Sequence, residues 1–211
     1  MTSRKRRVCA GLCILALCGL AAWVFVGCGG PDLPLLESED VIVAFGDSLT
    51  QGVGADQSEA YPAVLGELIG HPVVNAGVSG ELSRQGLTRL PRVLDRYKPA
   101  IIIICSGGND FLRGESEERM AENVRKMVEM AQAREIGVVL VGVPRPGLLL
   151  ATAPCYEAIA ADFDVPYEGQ VLHEIMSSRP LKSDRVHPNA KGYRLLAEAV
   201  AEVLRDAGAV D

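Results

Sequence analysis

The sequence predicts an α/β protein, a three-layer α/β/α sandwich around a five-stranded parallel sheet. Short apolar runs rich in Val and Ile alternate along the chain with longer segments whose apolar residues recur every three or four positions. The short runs are apolar at successive positions, as strands are when helices cover both faces of a parallel sheet. Regular alternation of such strands with helices favours this layered class.

The individual elements follow from these two patterns. Strands are predicted at residues 41–45, 73–75, 101–105, 138–143 and, more weakly, 165–167. Helices are predicted at residues 60–69, 81–97, 115–136, 154–163 and 189–207. Ligands of such folds bind beyond the carboxyl ends of the strands, so polar residues that follow a strand are the candidates for a site.

Length and charge exclude several classes of protein. The 211 residues fit one domain plus an appendage. The net charge is −6, but the first 27 residues hold four basic and no acidic side chains, which leaves 17 basic and 27 acidic residues and a charge of −10 for the rest. An acidic body without a basic stripe argues against nucleic-acid binding.

Residues 1–27 are predicted to be a signal peptide or an N-terminal membrane anchor. Residues 8–27 contain no charged or hydroxyl side chain and follow the basic residues 4–7. Their length matches a membrane-spanning helix, and the positive-inside preference places the body on the periplasmic or extracellular face. Residues 25–28 resemble a bacterial lipoprotein signal with Cys28 as the lipidated residue. An uncleaved anchor and full release remain open.

Residues 28–40 are rich in Gly, Pro and acidic residues and are predicted to be a tether, which leaves residues 41–211 as the domain. Only Cys105 and Cys155 lie in that domain, too few for a disulfide framework. We expect both to be buried as small apolar groups.

Four polar clusters carry the candidate chemistry. Ser48 and Asn109 follow the first and third predicted strands, Gly77 follows the second, and Asp184 and His187 precede the last helix. Each cluster alone is commonly a turn or a helix cap. Together they supply a nucleophile, oxyanion donors, a base and an acid that orients the base, which are the parts of a serine hydrolase.

The motifs resemble those of a known family. Gly46-Asp47-Ser48-Leu49, Gly77, Gly107-Gly108-Asn109-Asp110 and Asp184-x-x-His187 are similar to the four blocks of the GDSL or SGNH hydrolases. Residues 60–63, 74–80, 85–91 and 109–114 resemble the bacterial arylesterase, acyl-thioesterase and lysophospholipase branch. The chain departs from that branch at Leu82, where threonine is common, and over residues 144–153.

The resemblance implies a flavodoxin-like sheet of order 2-1-3-4-5, with Ser48 and Asn109 facing each other across the crevice. It implies that Ser48 attacks an ester, His187 transfers the proton and Asp184 orients His187. The backbone N–H groups of Ser48 and Gly77 and the amide of Asn109 would stabilise the oxyanion. No metal ion or organic cofactor is expected.

The predicted substrates are small acyl esters or lysophospholipids, with thioesters also possible. Export argues against coenzyme A thioesters, and so does the acidic body. Leucines at 148–150 could form an acyl-binding wall. A carbohydrate O-acetylesterase is the alternative enzyme, and a tethered binding lipoprotein without turnover is the alternative from another class.

Overall fold

The computed structural model describes residues 31–145 and 150–211. The strands of this part of the chain are β1 (Ile42–Gly46), β2 (Val73–Gly77), β3 (Ile101–Cys105), β4 (Gly137–Val141), β5 (Pro144–Arg145), β6 (Ala151–Thr152) and β7 (Tyr167–Glu168). Its α-helices are α1 (Ser48–Gln51), α2 (Tyr61–Ile69), α3 (Ser83–Tyr97), α4 (Gly108–Leu112), α5 (Glu117–Gln132), α6 (Pro154–Phe163), α7 (Val171–Ser177) and α8 (Ala190–Asp206). Short 3-10 helices lie at Gln57–Glu59 and Arg179–Leu181.

The main sheet is parallel and has the strand order β2-β1-β3-β4-β7. This order confirms the flavodoxin-like topology, with β7 as the fifth predicted strand. Every residue of β1 and β3 is buried, because helices cover the sheet on both faces. Helix α2 packs on α8, and α3 packs on α5. The fold is therefore the predicted three-layer α/β/α sandwich.

Two elements have the bounds that the sequence predicted, and the others differ by a few residues or were not predicted. The strand at Ile101–Cys105 and the helix at Pro154–Phe163 match their predicted bounds. The helix predicted at 115–136 is shorter, Glu117–Gln132, and the four-residue helix α1 and the β5–β6 ribbon were not predicted. These elements are too short to show a period.

The segment that leads into β1 is packed against the domain. The Leu33 N–H donates to the Ala207 carbonyl at 2.8 Å, and the Leu36 N–H donates to the Ala209 carbonyl at 2.9 Å. Leu36 is buried in the core, although it lies in the predicted tether. Thus residues 33–36 are held just beyond the end of α8.

Residues 1–30, with the predicted leader and Cys28, lie outside the described residues. Within the part that is described, no helix is both long and apolar enough to cross a bilayer. The two cysteines of the domain are free thiols there: Cys105 is buried, whereas Cys155 is half-buried. Burial raises the pKa of Cys155 to about 11.

Candidate active site

Ser48 lies on a tight turn at the carboxyl end of β1. A side chain at Gly46 would collide with the Cys105 carbonyl of the neighbouring strand, so the turn needs glycine there. The Asp47 carboxylate then caps α1 by accepting from the Leu49 N–H at 3.0 Å. Ser48 is the first residue of α1 and lines a cavity at this edge of the sheet.

The structure brings His187 to Ser48 across 139 positions of sequence. The Nε2 atom of His187 lies 3.1 Å from Ser48 Oγ, and its Nδ1 atom lies 2.7 Å from Asp184 Oδ2. Because Nδ1 faces a carboxylate, it carries the proton in the neutral ring, and Nε2 can accept one from the serine.

Asp184 is fixed by its own turn. Its Oδ1 atom accepts from the N–H groups of Val186 and His187, each at 2.8 Å, which leaves Oδ2 for the imidazole. Burial alone would raise the pKa of Asp184, but the hydrogen bonds from the His187 ring and from the two N–H groups outweigh it. The pKa is therefore held below its usual value, and the carboxylate stays ionised near neutral pH.

A cavity of about 230 Å³ opens beside Ser48 and His187. Much of its wall is apolar and comes from α4, α7 and the segments around β1 and β5. The apolar lining residues are Leu49, Leu112, Val143, Pro144, Leu150 and Met176. Leu150 was one of three leucines suggested for an acyl wall, while Leu148 and Leu149 lie outside the described residues. The cavity can hold an apolar group next to the serine.

Asn109 lies on α4 and faces this cavity from the end of β3. Its Nδ2 atom donates to the Glu81 carbonyl at 3.1 Å, which uses one of two amide hydrogens. The next residue, Asp110, is buried and accepts from the Ser83 N–H at 2.8 Å and the Ser83 hydroxyl at 2.7 Å. These bonds join α4 to the start of α3 and hold Asn109 in place.

The prediction that Gly77 is an oxyanion donor disagrees with the structure. The Gly77 N–H donates to Asn75 Oδ1 at 3.0 Å, and Gly77 is not among the residues that line the cavity. The reason is that β2 extends to residue 77, two residues beyond its predicted end, so Gly77 pairs with Gly46 inside the sheet. A side chain there would collide with the Gln51 backbone.

The loop that follows β2 supplies the residue that the sequence analysis missed. Ser79 and Gly80 line the cavity, and within the described part of the chain the Gly80 N–H has no hydrogen-bond partner. Gly80 has a φ of 75°, which favours glycine. A strand predicted two residues longer would have placed Gly77 inside the sheet and left the loop that follows it, in which Gly80 lies, as the source of the candidate donor.

An ion pair between Glu81 and Arg89, which no short sequence motif predicts, holds the loop that follows β2. The carboxylate of Glu81, which is 7% exposed, accepts two hydrogen bonds from Arg89, each at 2.7 Å. The same guanidinium donates to the Ala76 carbonyl at 3.0 Å and lies 4.2 Å from the ring centroid of Phe45. Arg89 thereby ties the loop to both β1 and β2.

Leu82, where the branch commonly has threonine, is the N-cap of α3. It is buried and has no side-chain acceptor to offer the first turn. Gln85 Oε1 accepts from the Leu82 N–H at 3.0 Å, so only half of a capping box forms. Leucine therefore replaces a capping hydrogen bond with apolar burial.

Asp47 is a second carboxyl group close to Ser48. Burial raises its pKa to about 6, against the lowering effects of the Leu49 N–H and His187. The nearby carboxyl groups of Asp110 and Glu81 raise it further. The site thus contains one carboxylate that ionises readily, Asp184, and one that does not.

Taken together, the parallel sheet and a serine bonded to histidine at its carboxyl edge define an ester hydrolase of the GDSL type. The sequence model of the "GDSL-like Lipase/Acylhydrolase family" matches residues 44–195. The chain belongs to this family.

Relatives and solved structures agree with this assignment. The chain is 30% identical over 174 residues to "Thioesterase 1/protease 1/lysophospholipase L1" of Escherichia coli K12, which covers 79% of this chain and 84% of the relative. It is 30% identical over 177 residues to "Esterase TesA" of Pseudomonas aeruginosa, covering 78% and 87%.

Among solved structures, the "Crystal Structure of TesA" superposes with a TM-score of 0.72 at 28% identity, covering 80% of this chain and 99% of that one. The psychrotrophic esterase EstA from Pseudoalteromonas sp., inhibited by monoethylphosphonate, gives a TM-score of 0.71 at 25% identity, covering 79% and 97%.

Proposed function

We propose that this protein hydrolyses carboxylic esters by two-step acyl transfer, with Ser48, His187 and Asp184 as its catalytic triad. The observation that carries the proposal is the 3.1 Å contact between His187 Nε2 and Ser48 Oγ, backed by the 2.7 Å contact of His187 Nδ1 with Asp184. A nucleophile hydrogen-bonded to a base, which an acid in turn orients, is the arrangement that activates a serine.

In the first step Ser48 Oγ attacks the ester carbonyl while His187 Nε2 takes the hydroxyl proton. The tetrahedral intermediate collapses when the imidazolium returns that proton to the leaving alcohol, and an acyl-Ser48 ester remains. Asp184 holds the ring in the required tautomer and stabilises its positive charge. Water then attacks the acyl group by the same path, which releases the acid and restores Ser48.

Three donors around the cavity support an oxyanion site. They are the backbone N–H groups of Ser48 and Gly80 and the free amide hydrogen of Asn109, all on residues that line the cavity. Donors placed in advance stabilise the developing charge without reorganising, and one of them typically lowers the barrier by about 3–4 kcal/mol. This set replaces Gly77 with Gly80. The scheme uses no metal ion and no organic cofactor.

The apolar wall favours an acyl group longer than acetyl. Leu112, Val143 and Met176 would bury the methylene groups of a medium-length chain, each worth about 0.8 kcal/mol. The names of the relatives add thioesters and lysophospholipids as candidates. The charge of −10 outside the leader opposes highly anionic coenzyme A thioesters. Esters of medium acyl chains are therefore preferred over acetylated carbohydrates.

We also propose that the domain is exported and remains tethered to the membrane. Four basic residues followed by twenty residues without charge or hydroxyl groups support export, and Cys28 supports lipidation. Intact-mass analysis of the mature N-terminus tests this part, since lipidation, an uncleaved anchor and full release predict three different masses.

The test of the activity is an ester panel from acetyl to long acyl chains, with a lysophospholipid and an acyl-CoA, assayed on wild type and Ser48→Ala. We expect a maximum at medium chains and a loss in Ser48→Ala of at least about 1,000-fold in kcat. A strict preference for acetyl esters would favour deacetylation. Undiminished hydrolysis by Ser48→Ala would refute the catalytic proposal and favour a binding lipoprotein.

A further inference from the structure

The chain enters the domain at the end opposite the cavity. Residues 33–36 are bonded to Ala207 and Ala209, just beyond the last turn of α8. The side chains of Leu33 and Pro34 also lie against Gly137, the first residue of β4. Both contacts are at the amino ends of the parallel strands, whereas Ser48 follows the carboxyl end of β1.

The length of helix α8 gives the distance between the attachment point of residues 33–36 and the His187 loop at the cavity. The helix begins three residues after His187 and ends one residue before Ala207, and it has 17 residues. At about 1.5 Å per residue, it separates the attachment point from the His187 loop by about 25 Å. The mouth of the cavity lies at the far end of that length.

The sequence between the predicted membrane segment and the bonded segment is too short to span this distance. If the apolar run ends at residue 27 or at a lipidated Cys28, residues 28–32 are the length of chain between the membrane and the bonded Leu33. Fully extended, they span at most about 20 Å at about 3.3–3.6 Å per residue. To press the cavity onto the bilayer, the domain would have to invert and lift its attachment point about 25 Å above the surface. Five residues, 28–32, do not reach that far even when fully extended.

We infer that residues 33–36 act as a clamp that keeps the cavity facing away from the membrane that carries the chain. The inference rests on the tethering proposed above. Its consequence concerns the substrate: the enzyme acts on esters that arrive from the aqueous side and not on acyl lipids within its own bilayer. Without the clamp, the fourteen residues 28–41 could span at most about 45 Å, which is enough for the domain to invert.

Two exposed leucines allow a test that needs no activity. Leu35 lies within the clamp but points outward and is 69% exposed, whereas Leu112 lies at the cavity and is 51% exposed. A fluorescent non-natural amino acid is placed at either position of the full-length protein in phospholipid vesicles that contain a headgroup acceptor dye. We expect strong energy transfer from position 35 and weak transfer from position 112. Equal transfer from both positions would overturn the inference.

An insertion of twenty Gly and Ser residues between Gly30 and Pro31 supplies the matched variant, since it lengthens the tether and leaves the clamp intact. It should raise transfer from position 112. It should also raise cleavage of an acyl lipid in the same bilayer at least about 10-fold, with a soluble ester cleaved at the wild-type rate. The same twenty residues added after Asp211 should change neither. Wild type cleaving the bilayer lipid as fast as the insertion variant would contradict the clamp.

The experiment distinguishes failure of the proposed ester hydrolysis from failure of the proposed orientation. If wild type hydrolyses neither substrate, the proposed activity is wrong, while the energy transfer still reports the orientation. If the full-length protein does not float with the vesicles, the tether is wrong, and the orientation inference falls with it even though the soluble ester is cleaved.

Discussion

The two carboxyl groups near Ser48, those of Asp184 and Asp47, differ in pKa because their surroundings differ. Asp184 accepts three hydrogen bonds and is half exposed, so its pKa is lowered. Asp47 accepts one backbone N–H and is buried, so its pKa is raised to about 6. Only Asp184 is therefore a permanent anion for His187, which is the property an orienting acid needs.

Asp47 makes the stability of the protein depend on pH. The pKa of Asp47 in the folded state, about 6, lies above the value of about 3.9 expected in the unfolded chain. The contribution of Asp47 to the free energy of unfolding is therefore largest below about pH 4 and is lost as the pH rises through about 6. Asp47→Asn keeps an acceptor for Leu49 and cannot ionise. We expect the variant to be more stable than wild type by about 1–3 kcal/mol at pH 8 and equal to it at pH 4. Chemical denaturation at both values measures this, and an equal difference at the two pH values would contradict it.

Asn109 and Asn75 provide a matched pair for the oxyanion site. Asn109 faces the cavity, whereas Asn75 bonds to Gly77 and to the Gln51 carbonyl outside it. We expect Asn109→Ala to lower kcat by about 100- to 1,000-fold with little change in KM. Asn75→Ala should lower stability and leave kcat within a few-fold of wild type. Steady-state kinetics of both variants would contradict the assignment if Asn75→Ala lost as much kcat as Asn109→Ala.

At the scale of elements, the loop between β2 and α3 is the part of the site most dependent on one interaction. Glu81 is almost fully buried, and its charge is balanced by Arg89. Breaking a buried pair by removing one partner leaves an uncompensated charge, which costs more than removing both. The Glu81 carbonyl also bonds to Asn109, so the pair acts on the oxyanion site through the backbone.

Arg89→Met should therefore destabilise the protein by about 2 kcal/mol or more and also lower kcat. The double variant with Glu81→Gln should regain most of the stability, because no buried charge remains unpaired. Chemical denaturation of the single and double variants forms the cycle that measures this coupling. Strictly additive losses would show that the two side chains do not act as a pair.

Periodicity predicted the elements whose pattern repeats and missed those shorter than a repeat. The apolar strand at Ile101–Cys105 and the helix at Pro154–Phe163 were predicted at their observed bounds. Polar Asn75 ended the predicted second strand too early, because β2 is the edge strand and can expose a side chain there. With the strand ended at residue 75, Gly77 fell in the predicted loop and was assigned as an oxyanion donor, whereas Gly80 is the glycine that lines the cavity.

At the scale of the whole molecule, the order of the four polar clusters along the chain predicted more of the site than any one cluster did alone. Residues 48 and 187 are close because β1 and α8 meet at one edge of the sheet, a fact of topology that local sequence does not encode. The resemblance to the hydrolase family supplied that topology. The ion pair of Arg89 and the clamp at residues 33–36 depend on side chains fitting surfaces formed elsewhere in the chain, and so only the folded structure reveals them.

The central claim is that Ser48 is the nucleophile, and covalent labelling tests it most directly. A fluorophosphonate should form one adduct per molecule, located by mass spectrometry of the digest on the peptide that contains Ser48, with ester hydrolysis lost in step with labelling. Ser48→Ala should form no adduct. An adduct on another serine, or full labelling of Ser48 with hydrolysis retained, would contradict the account.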